Sequence, residues 1–139
     1  MVTRVLDTSV VVKWFLEEEG TDRADLLLQE LAKGAARAVV PSSLFSEIAN
    51  VFWVHRREGL TEAEAQAFWG ELVHLPLDII EVSHQLLFDA LAFSFREQVS
   101  PYDATFVVLA RKLECDLMVS SGARSGVPAP GSNCSKGIA

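Results

Sequence analysis

Three acids stand where carboxylates could act together: Asp7 in VLDTSVV, Glu47 in LFSEIANVF and Asp103 in PYDATFVVLA. Each interrupts an apolar segment, where an isolated charge is costly unless it is paired or binds a metal. Carboxylate oxygens are preferred ligands of hard divalent cations such as Mg²⁺ and Mn²⁺, so three converging acids would make a cation site. Plainer roles are open to each. Asp7 could simply cap the helix that follows it. Glu47 and Asp103 fall in first turns of expected helices, where the macrodipole favours acids whatever the function. Asp103 also stands three residues after Ser100, which is capping-box spacing with Asp in place of Glu.

The choice depends on the elements that position these acids. Val2, Val5 and Leu6 are strand formers, and the run stops at Asp7. Thr8 and Ser9 favour helix N-caps, and the apolar run 10–16 is long enough for two helical turns before 17–19 and Gly20 end it. A strand that turns straight into a helix is the first half of a βαβ unit. Thr21 or Asp22 opens a second helix that stops at Gly34, and 37–40 reads as a strand closed by Pro41. Ser42 or Ser43 opens a third helix with Leu44, Ile48, Val51 and Phe52 at helical spacing, ended by Gly59.

Thr61 and Glu64 form a capping box for a fourth helix, followed by a strand at 77–82. Ser83 opens a fifth helix, and Ser100-Pro101 opens a sixth over 102–113, leading into a strand at 117–119. Strands alternating with helices predict an α/β fold, a mostly parallel sheet covered on both faces. Such sheets bind ligands at the carboxyl ends of their strands, the edge at which all three acids would lie.

Composition narrows the function classes. A chain of 139 residues, half of them hydrophobic, supplies the core of one domain. No stretch approaches the ~20 apolar residues of a membrane span, and the N-terminus lacks a secretory pattern, so the expected location is the cytoplasm, with no membrane partner. Cys115 and Cys134 have no CxxC or His-rich company, which argues against zinc and a disulfide framework. A net charge of −7 is unusual for a nucleic-acid binder, unless several of its carboxylates share a cation. The expected division is one domain over residues 1–121 and a Gly/Ser/Pro-rich tail over 122–139, loop or disordered.

DTSVVVKWFLEEEG, VPSSLFSEIANVFW and SPYDATFVVLARKLECDLMVSS, in this order, resemble the PIN domain, and within it the VapC toxin ribonucleases of VapBC toxin–antitoxin pairs. The resemblance runs from about residue 2 to 121. It implies a three-layer α/β/α sandwich with a central, mostly parallel sheet and an endoribonuclease site dependent on Mg²⁺ or Mn²⁺. Asp7, Glu47 and Asp103 match the family's catalytic, metal-binding acids, and Thr8 and Ser9 match its supporting hydroxyls. Metal-assisted hydrolysis of RNA phosphodiesters would follow, with a cognate VapB-like antitoxin and a homodimer as partners. Phe52, Trp53, Phe68 and Trp69 offer aromatic surface for the dimer. Lys13, Arg56, Arg57, Arg96, Arg111, Lys112 and Arg124 are candidates for a basic rim that holds RNA.

The family's fourth acid, just after the last matching strand, is missing. Ser121 stands there, or Gly122 after a one-residue shift, and no Asp or Glu follows Asp116. Asp116 precedes that strand and belongs to the opposite edge of the sheet. Asp89 could substitute only if the fifth helix faces the pocket. The tail also lacks the family's final strand. Two other readings stay open: a catalytically weakened PIN-fold module that binds RNA or antitoxin, and a Mg²⁺-dependent phosphatase of another α/β family. Haloacid-dehalogenase-type phosphatases need a second Asp two residues after the first, where this chain has Ser9.

Overall fold

A computed structural model describes residues 1–16 and 21–120, with 21–24 as backbone only. Strands β1 (Val2–Leu6), β2 (Ala36–Pro41), β3 (Leu77–Ile80) and β4 (Asp116–Met118) pair in parallel in the order β3-β2-β1-β4. Successive residues on a strand point to opposite faces of the sheet. Val5 and Leu6 on β1, and Val39 and Val40 on β2, are all fully buried, so both faces of the sheet centre are covered. The expected α/β/α sandwich is therefore the fold.

The covering helices are α1 (Thr8–Val11), α2 (Thr21–Ala32), α3 (Leu44–His55), α4 (Glu62–Leu72), α5 (His84–Glu97) and α6 (Pro101–Lys112). Residues 104–110 of α6 are buried without a break. A helix apolar round its whole circumference belongs inside. Accordingly α6 packs on β1, β2 and β4, and α5 packs against α6.

The chain steps outward from β1 through β2 to β3, then returns past α5 and α6 to lay β4 on the free side of β1. The strand order thus reverses between β1 and β4, and the crevice beyond their carboxyl ends is the ligand position of open α/β sheets.

Local chemistry explains most of the boundaries. Thr61 and Glu64 make the reciprocal capping box that starts α4. The Ser83 hydroxyl accepts from the Leu86 N–H at 3.1 Å to start α5, and the Ser100 hydroxyl accepts from the Asp103 N–H at 3.2 Å to start α6. Gly59 follows α3 and its short 3₁₀ extension, Arg56–Glu58, at φ 102°, a conformation costly for any residue with a Cβ.

Three boundaries differ from expectation. The first helix starts at Thr8, with Asp7 and not Thr8 or Ser9 as its N-cap, and is only Thr8–Val11, continued by the 3₁₀ turn Val12–Trp14. β3 stops at Ile80 because the Ser42 hydroxyl takes the Val82 N–H at 3.0 Å, removing it from the strand ladder. β4 begins at Asp116, which pairs with Arg4 in the middle of β1 and lies at the amino end of β4, away from the strand ends that meet at Asp7. The expected helix stop at 17–20 and the expected tail lie outside the described residues.

The aromatic residues also distribute differently. Phe15, Phe52 and Phe68 form an internal cluster with ring centroids 5.6–6.1 Å apart, and Trp69 packs edge-on against Phe45. Trp53 alone of the four expected surface aromatics is largely exposed. The broader apolar surface is on α5, where Leu87, Phe88, Leu91 and Phe95 are exposed at helical spacing.

Candidate functional site

Asp7 ends β1 in extended backbone (φ −75°, ψ 156°) and starts α1 in the next residue. Its N–H donates to the Met118 carbonyl at 3.0 Å, tying the end of β1 to the end of β4. Its carboxylate Oδ2 accepts from the Ser9 N–H at 3.0 Å and from the Ser9 hydroxyl at 2.6 Å. The Ser9 hydroxyl oxygen in turn accepts from the Ser120 N–H at 3.2 Å. Asp7 is 1% exposed, so this acid is both a cap and a buried charge at the switch of the sheet.

Thr8, equally buried, carries the connection to the next acid. Its hydroxyl donates to Glu47 Oε1 at 3.3 Å. Glu47 lies in the first turn of α3, where the helix points its polar stripe (Ser43, Ser46, Glu47 and Asn50) into a cavity of about 610 Å³. Ser100, Tyr102 and Asp103, at the start of α6, form the opposite wall. Glu47 and Asp103 therefore share one cavity, and Asp7 adjoins it through Thr8 without lining it.

Among the described residues, the side-chain groups gathered here are carboxylates, hydroxyls and the Asn50 amide, with no thiol or imidazole, which is the oxygen-rich chemistry of hard cations. Among the described residues, no three His, Cys, Asp or Glu side chains stand together as a ready-made metal group. Ser121 and Gly122 fall outside the described residues.

Asp89 is not the substitute acid. Lys112, at the far end of α6 from Asp103, bonds its carboxylate at 2.5 Å. That hydrogen bond holds the Asp89 carboxyl below its ordinary range.

Among the described residues, no Lys or Arg of the expected basic rim lines the cavity. Lys13 is only 6% exposed. Arg56 lies over the Trp53 ring at 3.5 Å, and Arg96 and Arg111 lie over Phe93. Arg57 is exposed on the turn after α3, and Arg124 lies outside the described residues.

Sequence reasoning missed Tyr102, Asn50 and the serines of the α3 stripe as cavity residues. The signal was present: 43, 46, 47 and 50 are polar positions at helical spacing in an otherwise apolar helix, and Tyr102 directly precedes Asp103.

Comparison with known proteins agrees with this architecture. The chain is 32% identical over 112 residues to ribonuclease VapC3 of Pyrobaculum aerophilum, covering 78% of this chain and 82% of that protein. Its fold is similar to VapC20 of Mycobacterium tuberculosis, a Sarcin-Ricin loop cleaving toxin, with TM-score 0.66, 15% identity and coverage of 86% and 90% of the two chains. It is equally similar, at TM-score 0.66 and 15% identity, to VapBC2 from Rickettsia felis bound to a DNA fragment from its promoter, covering 91% and 94%. A toxin–antitoxin complex from Klebsiella pneumoniae matches at TM-score 0.61 and 16% identity, covering 90% and 92%. The PIN domain profile matches residues 4–125, nearly the whole described fold, and the chain belongs to the PIN domain family as a VapC-like member.

Proposed function

We propose that this chain is a divalent-metal-dependent endoribonuclease toxin, acting in the cytoplasm and neutralised by a cognate VapB-like antitoxin. The observation that carries the reading is the linkage Asp7–Thr8–Glu47 at the strand-order switch, facing Asp103 across one cavity. The relatives, a ribonuclease, a Sarcin-Ricin loop cleaving toxin and a toxin–antitoxin complex, support the same reading.

Asp7, Glu47 and Asp103 are the residues that would hold Mg²⁺ or Mn²⁺, and their all-oxygen chemistry fits either ion. A bound ion supplies Lewis-acid polarisation of the phosphodiester and a more acidic water nucleophile. The chain's own contribution is positioning. Ser9 holds the Asp7 carboxylate with two hydrogen bonds, Thr8 restrains Glu47, and the Ser100 cap fixes the turn that carries Asp103. Pre-set donors avoid reorganisation when charge develops on the phosphate.

Partner surfaces are available on other faces. The apolar stripe on α5, with Phe88 and Phe95, is the surface we assign to a homodimer, and a groove of about 460 Å³ lined by Phe52, Trp53, Ala65 and Trp69 suits an apolar antitoxin segment. Among the described residues no helix is long and apolar enough to cross a membrane.

The phosphatase alternative asks Asp7 to attack phosphorus, which a 1% exposed carboxylate bound to Ser9 is poorly placed to do. The binding-module alternative draws on the missing fourth acid. Incubating the full chain with labelled single-stranded RNA decides between them. Cleavage should require Mn²⁺ or Mg²⁺ and stop with EDTA, and cleavage that persists in EDTA would overturn the proposal.

A further inference from the structure

The wall of the acidic cavity holds polar and aromatic groups that positioning the acids does not use. Tyr102 lines it yet is 72% exposed, and among the described residues its hydroxyl makes no hydrogen bond. Asn50 faces it from α3 with an amide that is likewise uncommitted among the described residues. The Ser43 hydroxyl oxygen is buried in the same wall with no hydrogen-bond partner. Buried polar atoms are nearly always satisfied, so an unsatisfied one in a cavity wall marks where a ligand atom completes the set.

The charge of the cavity limits what can hold RNA there. Glu47 and Asp103 are acidic and, among the described residues, no Lys or Arg lines the cavity, so apart from a cation held by those acids no positive group at this wall anchors a nucleotide by its phosphate. Unpaired bases are bound instead by stacking on aromatic rings and by hydrogen bonds to their edges. A volume of about 610 Å³ lies within the range that accommodates a small ligand.

We propose that the α3–α6 cavity is a single-nucleotide subsite flanking the scissile phosphate. Tyr102 stacks on an unpaired base, and Asn50 and Ser43 hydrogen-bond its edge and sugar. Tyr102 gives sequence-tolerant affinity, because every base has a stacking face. Asn50 gives preference, because its amide pairs donor and acceptor against one edge pattern. This proposal rests on the nuclease reading of the three acids.

The test uses the full chain and a labelled, sequence-randomised single-stranded RNA, in cleavage assays with Mn²⁺ and in fluorescence anisotropy with EDTA. Tyr102→Ala should raise KM about tenfold and leave kcat within about twofold, whereas Tyr102→Phe should keep both within about twofold of wild type. Asn50→Ala should flatten the base preference beside the cut, and Tyr102→Ala should leave that preference in place. Wild-type cleavage with an unchanged KM in Tyr102→Ala would overturn the subsite and leave the nuclease reading standing. If the wild type does not cleave, the nuclease reading falls and anisotropy decides the subsite: weaker binding by Tyr102→Ala supports it and equal binding overturns it. RNA that fails to bind wild type at all would overturn both.

Discussion

The hydroxyl of Thr8 donates to Glu47 Oε1 at 3.3 Å, joining the turn after β1 to the first turn of α3 across 39 positions of sequence. Two acids on separate elements are thus held in relation by a side chain that is itself neutral. Thr8→Val keeps the shape and removes the donor. Unfolding free energy should change by less than about 1.5 kcal/mol. RNA cleavage should fall about tenfold or more, because small misplacements of catalytic groups are expensive. Thr8→Ser should retain most activity. Full cleavage by Thr8→Val would show that Glu47 does not depend on this contact.

Ser9 connects Asp7 to the end of β4, donating to one and accepting from the Ser120 N–H. Ser9→Ala deletes both bonds and should cost about 1–3 kcal/mol in denaturant unfolding. Hydrogen exchange at the Ser120 amide should quicken by more than at amides of α5. Equal protection of Ser120 in the two proteins would count against this contact.

Restoring the absent acid tests its role directly. Ser121→Asp, or Gly122→Asp under the shifted alignment, should tighten Mn²⁺ binding in titration calorimetry and raise the rate of RNA cleavage. Asp7→Asn should weaken binding and abolish most cleavage. If neither restored acid alters Mn²⁺ affinity, the pocket is complete without a fourth carboxylate.

Asp89 and Lys112 link α5 to the end of α6, and the hydrogen bond from Lys112 lowers the Asp89 carboxyl from its ordinary value near 4. A depressed folded-state value means that the stabilisation is present above about pH 4 and fades as pH falls through the folded value. Asp89→Asn should therefore lower the thermal midpoint at pH 7 relative to wild type, with the gap closing at strongly acidic pH. A gap unchanged by acid would mean that the charge of Asp89 is not what matters.

The alternation of strands and helices was legible in the sequence in large part because three of its helices open on a clear chemical signal: Thr61 with Glu64, Ser83, and Ser100 with Pro101. The edge that carries the acids followed from those starts. Other features depend on three-dimensional neighbours and leave little local mark. Ser42 shortens β3 by capturing an N–H from 40 residues away, and nothing beside Val82 announces it. Lys13 is buried although it reads as a rim charge. Phe52 and Phe68 read as surplus aromatic surface, yet Phe15 packs with both inside the fold. Conversely, Phe88 and Phe95 are spaced like core residues but face outward, because α6 offers α5 only one side to cover.

The strand order has a consequence for when, during synthesis, the candidate site is complete. β4 pairs beside β1, so the backbone partner of Asp7 at Met118, and the Ser120 amide that bonds its neighbour Ser9, are synthesised more than a hundred positions after them. Pairings this distant in sequence form late. A chain still emerging from the ribosome carries all three acids but lacks the strand that anchors the first of them. On the toxin reading proposed above, the nascent polypeptide would lack a complete site until β4 docks, and that interval would be time in which an antitoxin made alongside it could arrive first.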